Sequence, residues 1–105
     1  MQLATTFRGL NQAESAAATS SLERNMSRFD RLLERPAQVR AVVEGGPPEH
    51  RVILSMLVDR EDLVAESSGH DLTMAISTAC ERLRIQLVKG RRRRTSGRQK
   101  TVPVT

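Results

Sequence analysis

Apolar and polar positions alternate from the start of the chain, where Leu3, Thr5 and Phe7 oppose Gln2, Ala4 and Thr6. A period of two predicts a short strand over residues 2–7, broken at Gly9. Asn11 then opens a helical pattern with Glu14 three residues on, the spacing of a reciprocal capping box. The helix is predicted to run to about Leu33, because Pro36 disfavours helical geometry at the residue before it. Leu22, Met26, Phe29 and Leu33 mark its apolar face at the 3.6-residue period. Its first half, AESAAATSSL, is small and polar and predicts thin packing or fraying.

Beyond Pro36 the period returns to two. QVRAVVE, residues 38–44, sets Val39, Ala41 and Val43 against Gln38, Arg40 and Glu44, a half-buried strand. GGPP, residues 45–48, sustains neither regular element and reads as a loop. HRVILSMLV, residues 50–58, is the segment richest in β-formers and is predicted to be the central strand. DRED, residues 59–62, reads as a turn and LVAES, residues 63–67, as a shorter strand. Three consecutive strands with short connections imply an antiparallel meander.

SSGHD leads into the strongest helical pattern, with Asp71 as N-cap and an inward stripe of Leu72, Ile76, Ala79, Leu83 and Leu87, flanked by Ala75 and Cys80. Gly90, after Lys89, stands where helices commonly end in a left-handed residue. The order is strand, helix, three strands, helix. The first strand reaches the sheet by a crossover, expected to be right-handed. The predicted fold is an α+β two-layer sandwich, β-α-β-β-β-α, a four-stranded, mostly antiparallel sheet with two helices on one face. Residues 1–89 form this domain and residues 90–105 a basic, disordered tail.

Charge separates the same two parts. Of 17 Lys and Arg, seven lie between Lys89 and Lys100, leaving ten against 12 acids elsewhere, a net of −2 for the body of a chain whose total is +5. That asymmetry points to a polyanionic partner, nucleic acid ahead of membrane. Phe7 and Phe29 are the sole aromatics, so the core is aliphatic and base-stacking platforms of the single-strand readers are disfavoured. What remains is phosphate recognition of structured nucleic acid by Lys and Arg.

Arg24, Arg28 and Arg31 recur at spacings of four and three on the first helix, and Arg82 and Lys89 lie on the second. With the tail, including Arg91, Arg92, Arg93 and Arg94, they would line a basic groove between neighbouring helices. A solvated helix face fits the same pattern, since Arg and Lys are good helix formers.

No convergent catalytic set is visible. His50 and His70 are single and fall at element entrances, and Cys80 beside an apolar stripe acts as a small hydrophobe. These three lack zinc-finger spacing, and the glycines form no phosphate loop. Glu61 and Asp62 fit a solvated turn. No enzyme, metal, cofactor or small-molecule substrate is expected. A lone cysteine, no leader-like N-terminus and no apolar run longer than that around Val52–Val58 point to a soluble, cytoplasmic chain.

From about Gln2 to Lys89 the chain resembles the short ribosome hibernation promoting factors, also called ribosome-associated inhibitor or ribosomal subunit interface proteins. The resemblance rests on the opening MQL, LER and RFDRL in the first helix, QVRAVV in the next strand, and GHDLTMAISTACERLRIQLVK. In that last segment Asp71-Leu72, Ala75-Ile76 and Leu83 through Lys89 are similar to the family's closing helix. The resemblance implies a bacterial, stress-responsive factor that occupies the mRNA and tRNA channel of the small ribosomal subunit. It blocks translation without chemistry, through basic helix residues on ribosomal RNA. Arg24, Arg82, Lys89 and Arg91 match basic positions of the family, and Arg28 and Arg31 are added from helical geometry. Ser21 and Ile85 stand where relatives commonly carry a basic residue, and Thr73 replaces a usual Tyr. With no second dimerisation domain a monomer is expected. The alternative is a non-catalytic protein-interaction module on the same fold that has lost ribosome binding.

Overall fold

The computed structural model describes residues 2–31, 37–46, 49–58 and 60–104, with side chains as far as Lys89. Its elements are β1 (Gln2–Arg8), α1 (Gln12–Asp30), β2 (Gln38–Glu44), β3 (His50–Val58), β4 (Glu61–Gly69) and α2 (Leu72–Val104). The sheet order is β1-β2-β3-β4, with β1 parallel to β2 and the other neighbours antiparallel.

Register explains why one alternation serves all four strands. Leu3, Val39, Met56 and Leu63 align across the sheet, as do Thr5, Ala41, Leu54 and Ala65, and Phe7, Val43, Val52 and Ser67. Successive side chains point to opposite faces, so these rows share the face on which the core lies. Val39, Ala41, Val43, Val52, Leu54 and Met56 are each at most 1% exposed. The opposite face carries Arg40, Val42, Ile53, Ser55, Leu57, Val64 and Glu66. Both helices close the buried face with Ala18, Leu22, Met26 and Phe29 from α1 and Ala75, Ile76, Ala79, Cys80, Leu83 and Leu87 from α2. Leu3, Phe7, Leu10, Leu63 and Leu72 pack at its margins, half-buried.

The helix starts follow the sequence closely. Asn11 Oδ1 accepts from the Glu14 amide at 2.8 Å while Glu14 Oε1 accepts from the Asn11 amide at 3.1 Å, so two orphan donors of the first turn are satisfied reciprocally. Asp71 Oδ1 accepts from the Met74 amide at 3.0 Å and caps α2.

Four expectations need correction or limit. The first half of α1 is regular helix, and Ala18 is fully buried, so its small residues pack closely instead of fraying. β3 shares the centre of the sheet with β2. β4 begins at Glu61 and runs nine residues, because pairing with β3 continues to Val58↔Glu61 and the connection shrinks to residues 59 and 60. Arg60 turns this corner at φ 66, in the left-handed region. Finally, α2 continues through Gly90 to Val104. One interior glycine costs about 1 kcal/mol relative to alanine, and the arginines that follow are good helix formers. Leu33 and Pro36 lie outside the described residues.

Candidate nucleic-acid interface

Arg24 and Arg28 of α1 and Arg31 at its C-cap fall within an arc of about 60° at 100° per residue, and all are exposed. The direction of that arc follows from Glu81 on α2. Glu81 accepts two hydrogen bonds from Arg84, through Nε and Nη2. Its carboxyl is held below the usual range chiefly by that bonding, with further contributions from the charges of Arg84 and, across the helix pair, Arg28. Arg84 is in turn raised by Glu81. Glu81 thus feels the charge of Arg28 across the helix pair, which turns the arginine arc of α1 toward the α2 side.

Ser21 belongs to this side of α1 too. It lies two turns before Arg28, nearly in line with it, and is 2% exposed. The position where relatives commonly carry a basic residue is therefore buried here, and the Ser21 carbonyl accepts from Asn25 Nδ2 at 2.8 Å.

Arg82 does not join this group. It stands two positions before Arg84, which turns it about 160° around α2, and its Nη1 donates to the Glu66 carbonyl on β4 at 2.6 Å. Gln86, one turn on, donates to the Val64 carbonyl at 2.6 Å. Lys89 is exposed near the end of the described side chains, and those of Arg91, Arg92, Arg93 and Arg94 lie beyond them. The structure thus sets Arg24, Arg28 and Arg31 on one exposed arc and places Arg82 and Arg84, the latter not singled out by the sequence pattern, on opposite flanks of α2. The signal for Arg84 was its i,i+3 acid at Glu81, which marks an exposed helical flank but not which neighbour it borders.

The remaining candidates do not converge on chemistry. His50 Nε2 stands 3.7 Å from Glu14 Oε2 beside the capping box, and His50 Nδ1 is buried without a partner among the described residues. His70 is exposed at the entrance to α2. Cys80 is 3% exposed, and burial pushes its thiol up to about 12. Among the described residues no three His, Cys, Asp or Glu groups gather as metal ligands, and no helix is long and apolar enough to cross a membrane. On the far face of the sheet, Arg51 Nε donates to Glu66 Oε1 at 2.6 Å, a surface pair that raises Arg51.

No protein-family model and no curated protein matches the chain. Solved structures do. The N-terminal domain of Protein Y from Thermus thermophilus superposes with a TM-score of 0.71 at 22% identity, covering 83% of this chain and 96% of that one. A ribosomal subunit interface protein from Coxiella burnetii gives 0.72 at 16% identity, covering 87% and 98%. The likeness is one of fold over nearly the whole of both neighbours. It is the fold implied by the resemblance that runs from about Gln2 to Lys89.

Proposed function

We propose that this chain is a ribosome-associated factor. It holds ribosomal RNA of the small subunit against the α1–α2 seam and occupies the mRNA and tRNA channel without catalysing a reaction. The observation that carries this reading is the exposed arc of Arg24, Arg28 and Arg31, joined by Arg84, on the helical layer of a fold shared with a ribosomal subunit interface protein. Guanidinium groups fixed on a rigid helix pair suit phosphate oxygens, and recognition of backbone shape needs no aromatic platform. Glu81 holds Arg84 in place and spaces the cations. Lys89 and the arginines after Gly90 extend the positive charge beyond the domain.

Sedimentation with purified small subunits over a range of salt tests this. Comigration at low salt should fall steeply as salt rises. Replacing Arg24 and Arg28 by Gln should lower the log–log salt slope by about 1.4 to 1.8, at roughly 0.7 to 0.9 for each phosphate left without its cation. Arg51→Gln, on the far face of the sheet, should leave the slope unchanged. No comigration at low salt would sink the reading.

A second reading, a protein-interaction module, draws on Met74 and Ile85, which are 66% and 40% exposed and lie three turns apart on the outward line of α2. If it holds, Met74→Asp and Ile85→Asp abolish partner capture while small-subunit sedimentation is already absent in the parent chain.

A further inference from the structure

The two edges of the sheet are finished differently. Along β4, side chains from α2 occupy outward backbone carbonyls, Arg82 at Glu66 and Gln86 at Val64. Such cover blocks pairing with another strand. β1 has no equivalent among the described residues. Its sequence, QLATTFR, contains no proline and no acid, and its only charge is the terminal Arg8.

The phase of β1 can be read from its ends. The Gln2 amide donates to the Ala37 carbonyl at 3.1 Å, and the Arg8 carbonyl accepts from the Gly45 amide at 2.7 Å. Pairing with β2 is unbroken between them. Even-numbered residues therefore turn their backbone groups toward β2, and Leu3, Thr5 and Phe7 turn theirs to the free edge. In an antiparallel ladder two directly opposed residues of this kind exchange both bonds. A two-fold axis through Thr5 would set Thr5 against its own copy and Leu3 against Phe7 in both directions. All six outward donors and acceptors are then satisfied.

The side chains agree with that axis. Leu3 and Phe7 lie on the helix side of β1 and remain half-buried at the margin of the core. Opposed residues in an antiparallel pair share a face, so each would be covered by the other across the seam. On the other face Arg8 meets Gln2 and Ala4 meets Thr6, with no like charges opposed.

We propose that β1 is a self-association edge through which a second copy of this chain pairs antiparallel about Thr5, joining two sheets into one of eight strands. This goes beyond the ribosome reading and replaces the monomer expected from the sequence.

Thr5→Pro provides the test. Proline removes the outward amide of Thr5 while sparing the bonds from β1 to β2, and edge strands tolerate it there. Equilibrium sedimentation of the full chain should show a concentration-dependent dimer that Thr5→Pro weakens at least tenfold. Hydrogen exchange on the parent chain gives an independent readout. The amides of Leu3, Thr5 and Phe7 should gain protection as concentration rises, while those of Ala4 and Thr6 stay protected throughout. A chain monomeric up to about 1 mM, a dimer with those three amides still exchanging freely, or a dimer unaffected in folded Thr5→Pro would overturn the proposal.

Discussion

Cys80 illustrates how a residue without chemistry still shapes behaviour. Its thiol sits among Ala75, Ile76, Ala79 and Leu83 on the buried stripe of α2, and desolvation raises its pKa from 9.0 to about 12. Above pH 9 the unfolded chain releases this proton while the folded chain keeps it. Stability is therefore unaffected below about pH 9 and falls as pH rises from there toward 12. The slope approaches about 1.4 kcal/mol per pH unit at full effect. The chain has no tyrosine, so the usual alkaline competitor is missing. Urea unfolding at pH 8 and pH 10 should show a loss for the parent chain that is largely absent in Cys80→Ala. An equal loss in both would assign the alkaline sensitivity elsewhere. Two other residues gain their meaning from packing alone. Gly9, at φ 67, passes so close to Gly45 that a Cβ there would stand 2.9 Å from the Gly45 carbonyl oxygen. Ser67, buried at the end of the core row of β4, donates its hydroxyl to the Ala75 carbonyl at 2.8 Å and ties sheet to helix.

At the scale of elements, α2 bears on both the core and the site. Leu83 is fully buried at the middle of its stripe. Leu83→Ala should cost about 2–5 kcal/mol and displace Arg84 and Glu81, its neighbours on the next flank. Chemical denaturation would measure the loss, and a cost near zero would mean that α2 is not seated as described. The same stripe was legible in the sequence because each of its members serves one purpose, burial. The strands at residues 38–44 and 50–58 were legible residue by residue for the same reason, since their alternation is one-sided. Glu61, Asp62, Ser68 and Gly69 hid the true length of β4, because a tight connection and a continuous ladder hold them extended despite weak strand preference. The site was less legible than the fold. Helical periodicity placed Arg24, Arg28 and Arg31 together, but not the identity of the neighbour on each flank. The hydrogen bond from Arg82 to the Glu66 carbonyl on β4 was likewise not legible. Arg84 was passed over although its partner Glu81 feels the charge of Arg28, and Ser21, where relatives commonly carry a basic residue, is buried.

At the scale of the molecule, charge is divided along the chain. The body is slightly acidic, and surface pairs engage two of its ten basic residues, Arg51 with Glu66 and Arg84 with Glu81. Exposed pairs of this kind contribute little to stability, so they are open to exchange for a stronger anion. Six of the 17 basic residues follow Gly90. If the domain selects the RNA site by shape and the segment after Gly90 adds attraction, the two should separate in a salt titration. Replacing Arg91, Arg92, Arg93 and Arg94 by Gln in the full chain removes four cations. The log–log slope for small-subunit binding should then fall by up to about 3, at roughly 0.7 per phosphate neutralised on single-stranded RNA. Binding at low salt should persist through the α1–α2 seam, and competition by unrelated RNA should weaken. An unchanged slope would mean that this segment meets no phosphate, and loss of all binding at low salt would mean that it, not the helix pair, selects the site.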